Sequence, residues 1–323
     1  MFLRSIAIAL LTLAAAMPAA LAQYPTKPVR IVVPYPPGGG ADILGRTLSQ
    51  KLAERWGQPA VVDNRGGATG MIGTEIVVNA VPDGYTVLLS ASQEIVINPN
   101  IYKKLRYDPQ KDLVPVTLIA RAPNVFVTHP SLPVASLKEF IEHAGRQPGK
   151  LTYASSGAGS SQHIAGEVLK ALGKVNLVHV PYKGGGPQVA ALLGGETPVA
   201  FIALPAAVGA VRQGRMKALG VTATARSPAL PEVPTMAEAG VPVDVDQWYA
   251  IFLPAKTPSA IATKLNGDFV WALKLPDVRS RMIDLGYEPH GTTREQFSEF
   301  VRDQTARYRK IIQDTKIEIA AGS

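Results

Sequence analysis

Twice in this chain an apolar strand runs through a glycine-rich turn straight into a helix. The first instance is "VRIVVPYPPGGGADILGR", Val29 to Arg46, and the second is "LTYASSGAGSSQH", Leu151 to His163. Repeated strand–turn–helix order restricts the chain to an α/β architecture with largely parallel sheets. Glycine lets a backbone approach a ligand closely, and the N–H groups of a helix's first turn have no helical partner. With the helix dipole added, each turn is a site for a negative group. Two such turns facing one another across a cleft would suit a molecule with two anionic ends, or with one anionic and one polar end.

The rest of the chain continues the alternation. "TVLLS", "LVHV", "PVAFI" and "KALGVT" read as strands, and "DILGRTLSQKLAERW" places Ile43, Leu44, Thr47, Leu48 and Leu52 on one helical face. A helix is expected from near Ser136 to the stop at Gln147-Pro148-Gly149. The last part, from Pro258 onward, reads as helices with no long strand between them. Two extended apolar runs, Leu113 to Pro130 and Val241 to Pro258, look like crossings between lobes. On that reading residues 23–120 with 247–323 form one lobe and 121–246 the other, with a hinge and a cleft between them. A single large sheet is the alternative that periodicity leaves open.

The N-terminal stretch has a positive residue, Arg4, an apolar run from Ile6 to Met17, and the small-x-small site Ala20-Leu21-Ala22. This is the pattern of a secretory signal peptide, residues 1–22, cut after Ala22. Its apolar core is shorter than the ~20 residues that span a bilayer. The chain has no cysteine, which removes disulfides, thiolate metal sites, cysteine nucleophiles and a lipoprotein anchor together. An exported protein without disulfides must rely on its core, and a composition that is 46% apolar supplies one. The overall balance is basic, with 33 Lys and Arg against 25 Asp and Glu. These cations are scattered and not interleaved with aromatics, which disfavours nucleic acid and favours small anions.

Other anion chemistries fail against the letters. Neither turn has the Lys-Ser/Thr ending of a P-loop, and neither completes G-x-G-x-x-G, since Ile43 and Gln162 stand at the sixth positions. Gly159 to His163 breaks the G-x-S-x-G elbow at its last residue. Ser161 and His163, two apart at a helix start, do not face each other, and no acidic residue in the turn could orient the imidazole. Hydroxyls that cap the helix and touch a ligand are the better reading, so no catalytic residue is expected. The five histidines, at 129, 143, 163, 179 and 290, show no metal-ligand spacing, so neither metal nor cofactor is expected. Asp42 reads as a helix N-cap. Tyr182 and Lys183, ahead of three glycines, are either a surface turn or part of a cleft wall.

Taken in order, "YPTKPVRIVVPYPPGGGAD", "VVDNRGGATGMIGTEIV", "PDGYTVLLS", "INPNIYKKLRYDPQKDLVPVTLIA", "YASSGAGSSQHIAGE", "VPYKGGGP" and "QWYAIFLPAKTP" closely resemble the solute-binding proteins of tripartite tricarboxylate transporters, the Bug proteins. The similarity runs over essentially the whole chain from Tyr24. The resemblance implies a two-lobed periplasmic binding protein of type II, a Venus flytrap in which each lobe is a mostly parallel sheet flanked by helices. It also implies a small organic carboxylate as ligand, integral-membrane transporter subunits as partners, and no enzymatic activity. A monomer is expected. Carried over by position, the ligand-binding residues are Tyr35, Pro37, Gly38, Gly39, Gly40 and Ala41 from the first turn and Ala91 and Ser92 after the strand ending at Ser90. Ser155, Gly157, Gly159, Ser160, Ser161 and His163 come from the second turn, with Tyr182, Lys183, Ile202 and Trp248 beyond it.

Two departures from the family pattern bear on the ligand. Where many relatives place an Asp that can meet a ligand amino group, this chain has Ile202, which argues against an amino acid. Gln93 and Glu94 stand where smaller residues are common, and Glu94 either points away from the ligand or recognises a ligand hydroxyl.

Overall fold

The computed structural model describes residues 24–102 and 104–315; the signal-peptide segment, 1–22, lies outside the described residues. The first third comprises β1 (Val29–Val33), α1 (Gly40–Trp56), β2 (Ala60–Asn64), α2 (Met71–Val78) and β3 (Thr86–Ala91). A π-helical turn, Gln93–Ile97, then leads through α3 (Asn98–Ile101) and α4 (Pro109–Asp112) to the long strand β4 (Leu113–Thr128). The middle alternates α5 (Leu137–Gly145), β5 (Thr152–Ser155), α6 (Ser161–Gly173), β6 (Val178–Pro181), α7 (Gly185–Leu193), β7 (Val199–Ala203), α8 (Leu204–Arg212) and β8 (Lys217–Val221). The chain returns in β9 (Asp246–Pro254) and ends in α9 (Ser259–Lys274), α10 (Pro276–Asp284), the two-residue β10 (Glu288–Pro289) and α11 (Arg294–Thr315). Among the described residues, no helix is long and apolar enough to cross a membrane.

The strand order is β2-β1-β3-β9-β4-β7-β5-β6, with β8 and β10 also paired to β4. β1 runs parallel to β2 and β3, and β5 runs parallel to β6 and β7, as strand–helix–strand repeats require. The two crossing segments are different. β9 returns from the second half, so it enters antiparallel between β3 and β4 and makes the sheet mixed. β4 pairs with β9 from Leu113 to Pro123, and then with β7 and β8 from Asn124 to Thr128. One strand thus serves both sheets, and register shifts near Val116 and Ile119 add local twist on the way.

Helices cover the strands on both faces, which is why β1 is apolar almost throughout and Val29, Ile31, Val32 and Val33 are all buried. On α1 the buried stripe is Leu44, Leu48 and Leu52, while Ile43 and Thr47 sit half-exposed at its edge. One apolar cluster continues beneath both halves, from Leu88, Trp248 and Phe252 through Phe126, Phe140 and Phe201 to Phe297 and Tyr308 of α11. Separate clusters fill the opposite face of the first half, around Ile31, Leu44 and Phe269, and of the second half, around Val127, Leu192 and Ile202.

Candidate functional site

Four helices begin at one place. Gly39, Gly40 and Ala41 at the start of α1, Gln162 in the first turn of α6, Gly185 at the start of α7, and Ala203 and Ala206 at the start of α8 line a single small cavity. Its volume is about 20 Å³, room for about one water. Tyr35, Ser156, Ile202, Gln247 and Tyr249 complete the wall. Each helix contributes first-turn N–H groups without helical partners and the positive end of a dipole, so the four together favour a negative group there.

The start of α1 is set from within its first turn. The N-cap is Gly39, not Asp42, and Asp42 reaches back to accept the Gly38 N–H at 3.0 Å while pairing with Arg46 at 3.0 Å. Burial works to raise the Asp42 pKa, but the hydrogen bonds from Arg46 and from the Gly38 N–H outweigh it and hold the carboxyl below its usual range. On α6 the cap is Ser160, whose Oγ accepts the His163 N–H at 3.1 Å. The Gly159 N–H is donated to His163 Nδ1 at 3.0 Å, which fixes His163 as the Nε2–H tautomer. His163 stacks on His179 with ring centroids 3.8 Å apart. Burial lowers both imidazoles, His163 to about 4 and His179 to about 3, so both are neutral at neutral pH.

A polar rail crosses the floor of the small cavity. The Ser156 hydroxyl donates to Gln162 Oε1, and Gln162 Nε2 donates to Gln247 Oε1 at 3.1 Å. Ser161 Oγ has Asn124 and Gln247 as partners and no imidazole. Ser155 Oγ does meet an imidazole, His179 Nε2 at 2.6 Å, but it is fully buried and also bonded to the Gly157 carbonyl. Neither serine has the exposed, base-activated setting of a nucleophile.

Tyr35 and Ser156 also belong to the wall of a second cavity of about 500 Å³, within the range of small-molecule sites. Gly157, Ala158, Tyr182, Lys183 and Gly184 form one side of it, and Pro34, Pro36 and the turn Gly67 to Met71 form the other. Among the described residues of its wall the only charged one is Lys183. In that turn four successive residues have positive φ: Gly67 127°, Ala68 45°, Thr69 51° and Gly70 84°. For Ala68 and Thr69 this is a strained conformation. It is pinned by Asn98 Nδ2, which donates to the Thr69 carbonyl at 3.1 Å.

Of the residues expected from sequence, Tyr35, Gly39, Gly40, Ala41, Gly157, Tyr182, Lys183 and Ile202 line these two cavities. Pro37 and Gly38 lie next to them, pressed against Gly186. Ser155, Gly159, Ser160, Ser161 and His163 form the framework that holds the second turn and the start of α6. Ala91 and Ser92 are buried at the end of β3, where the Ala91 N–H is donated to Glu94. Trp248 belongs to the core, stacked edge-on against Phe297 and Phe300. Side chains alternate along a strand, so it is Gln247 and Tyr249, on either side of it, that reach the cavity. Residues absent from that expectation include the Gly67 to Met71 turn, Gln162, Gln247, Gly185 and Ala203, with Pro34, Pro36, Ser156, Ala158, Gly184, Ala206 and Tyr249 beside them. The glycines of "NRGGATG" and "YKGGGP", each between a strand and a helix, were the available signal for the first and fourth of these.

Glu94 is fully buried and does not line either cavity. Its Oε1 accepts the Tyr35 hydroxyl, and its Oε2 accepts Ser90 Oγ at 2.7 Å and the Ala91 N–H at 3.0 Å.

Residues 44–317 match the profile of the tripartite tricarboxylate transporter family receptor. BugT of Bordetella pertussis is 35% identical over 312 residues, covering 96% of each chain. Among solved structures, the R. palustris protein Rpa4515 with adipate superposes with a TM-score of 0.89 at 34% identity, covering 91% of this chain and 99% of that one. MatC from Rhodopseudomonas palustris with bound malate gives a TM-score of 0.84 at 32% identity, covering 90% and 100%. With a two-lobed binding-protein fold and similarity along nearly its full length, this chain belongs to the tripartite tricarboxylate transporter receptor family, among the Bug-type solute-binding proteins.

Proposed function

We propose that this protein is a periplasmic receptor that captures a small organic carboxylate between two lobes and delivers it to the integral-membrane subunits of a tripartite transporter, without chemistry on the ligand. The observation that carries this reading is the meeting of four helix N-termini at one cavity. Burying a carboxylate is unfavourable unless donors are already oriented, and here the first turns supply them. One carboxylate sits at Gly39 to Ala41, Gln162 and Gly185, and the remainder of the ligand extends past Tyr35 and Ser156 into the larger cavity beside Lys183. Ile202, Ala203 and Ala206 give the deep end an apolar wall with no carboxylate to meet an ammonium, so the ligand is not an amino acid.

The lobes are 23–120 with 247–323 and 121–246, and β4 and β9 are the hinge. Closure is a population shift: contacts to both lobes at once favour the closed form. Residues 1–22 are the export signal, and the mature protein acts as a monomer. Two relatives solved with adipate and malate suit a mono- or dicarboxylate ligand for this chain as well. Titration calorimetry of the mature protein against a panel of mono- and dicarboxylates tests the reading. Saturable heat with a one-to-one stoichiometry is expected, and no heat and no thermal shift with any member of the panel would sink it.

A further inference from the structure

Glu94 is an acid with no cation. Among the described residues no lysine or arginine pairs with it; the titratable groups around it are Tyr35 at the end of β1, Tyr107 ahead of α4, whose hydroxyl donates to the Glu94 carbonyl at 3.0 Å, and Tyr249 on β9. From the Gly67 to Met71 turn and α2, Gly70 and Thr74 bring no charge. From α11, the Tyr308 hydroxyl is donated to the Asp246 carbonyl and Arg309 turns to Asn100. Gly70 lies over the carboxylate so closely that a methyl group there would fall 1.9 Å from Oε1. Glu94 therefore sits one layer beneath the larger cavity, behind two residues of its wall, Tyr35 and Gly70.

The two carboxylate oxygens are not equivalent. Oε2 is held by Ser90 Oγ and by the Ala91 N–H, and a backbone N–H cannot be turned into an acceptor. Oε1 has only the Tyr35 hydroxyl, which can either donate or accept. A proton on Oε1 finds an acceptor in Tyr35 Oη and leaves both Oε2 hydrogen bonds intact. A proton on Oε2 would require Ser90 Oγ to turn to its other acceptor, the Ala91 carbonyl at 3.0 Å, and would weaken the bond from the Ala91 N–H, so Oε1 is the favoured site. The protonated Oε1 then donates to Tyr35 Oη, and the phenol's own proton is released toward the cavity whose wall Tyr35 forms.

We propose that Glu94 and Tyr35 form a proton-gated donor: an anionic ligand entering the cleft draws one proton from solvent onto Glu94 Oε1, which reverses the Glu94–Tyr35 hydrogen bond and turns the Tyr35 hydroxyl to the ligand. This rests on the carboxylate-receptor reading above. Burial pushes the Glu94 carboxyl up to about 7, against the hydrogen bonds from Tyr35 and Ser90 that pull it down. A second negative charge in the adjoining cavity raises it further, so ligand and proton bind together.

The probes are adipate and malate, both fully ionised above about pH 6.5 by reference carboxyl values. Calorimetry in two buffers of different ionisation enthalpy counts the protons. Uptake approaching one proton per ligand is expected from about pH 7 upward, with affinity falling by as much as about tenfold per pH unit. Glu94→Gln mimics the protonated acid, with its amide oxygen on Ser90 and Ala91 and its NH₂ on Tyr35. It should bind with pH-independent affinity and no proton uptake, while Tyr35→Phe should bind more weakly at every pH. Binding by the parent protein without proton uptake overturns the proposal and leaves the receptor reading intact. Failure of the whole carboxylate panel overturns both. Carbon-13 NMR of the labelled Glu94 carboxyl gives an arm independent of any variant's folding. A resonance that titrates near the ordinary glutamate value, with or without ligand, also overturns the proposal.

Discussion

The carbonyl oxygen of Pro37 lies against the Cα of Gly186, so near that a Cβ on Gly186 would fall 2.3 Å from it. The contact joins the first and second halves of the chain backbone to backbone, since Pro37 precedes α1 and Gly186 lies in the first turn of α7. Gly184 makes a similar contact, where a Cβ would meet Pro36 Cδ at 2.7 Å. The two triple-glycine turns are thus each other's packing surface, and the N-terminal ends of two helices meet because neither turn carries side chains.

Gly186→Ala should act as a wedge. The added methyl obstructs closure without touching either core, so the variant should keep its melting temperature within a few degrees and lose at least about tenfold in carboxylate affinity. Scattering with saturating ligand should report a more open average shape than the parent. Normal affinity in a folded Gly186→Ala protein would show that this contact does not form on closure.

Gly39→Val tests the anion site itself. A Cβ at Gly39 would sit 3.7 Å from the Gly185 Cα, an ordinary contact, so the Ala variant is accommodated while the branched Val methyls enter the small cavity. Calorimetry should show binding retained in part by Gly39→Ala and absent in a folded Gly39→Val. Equal binding by both would relocate the site.

Ile202→Asp places a carboxylate at the convergence of four helix N-termini. It competes from within for the donors offered to a ligand, so affinity for mono- and dicarboxylates should drop by about a hundredfold or more. An affinity unchanged from the parent would mean that the deep cavity is not where the carboxylate goes.

The buried titratable groups predict two opposing slopes of stability with pH. His163 and His179 have folded pKa values lowered from 6.5 to about 4 and about 3, so the unfolded chain binds more protons in that interval. Stability is fully present above pH 6.5 and is lost as the pH falls through the folded values. Glu94 has the reverse sign. Its pKa is raised from 4.5 to about 7, so its contribution is present below pH 4.5 and is lost as the pH rises through about 7. Urea midpoints across this range should therefore fall more steeply on the acid side in Glu94→Gln than in the parent, and less steeply in His179→Phe. Parallel profiles for all three proteins would contradict these assignments.

Much of this arrangement is legible in the sequence, and the reasons differ from part to part. The strands and the helices that follow the two glycine turns come from apolar periodicity, which is local. The crossing segments came from length and extended character, and β4 and β9 occupy them. What no local pattern carries is which turns meet. The first turn packs on Gly184 to Gly186 as well as facing the second turn, and sheet topology alone decides that. Trp248 shows the same limit on a smaller scale: its segment was identified, but which face of the strand meets the cavity depends on register, and a one-residue difference exchanges Trp248 for Gln247 and Tyr249. Glu94 has two readings from sequence because no local pattern shows the Tyr35 hydroxyl or Gly70 as its neighbour.

The position of β9 also orders events in time. It fills the place between β3 and β4, yet it is made more than a hundred residues after either. Until Asp246 to Pro254 emerges, the sheet of the first half has a missing middle, and its edges at β3 and β4 stay unpaired. Such a late, non-local closure slows folding. On the export route proposed for this chain, that delay favours crossing the membrane before folding, an advantage built into the strand order.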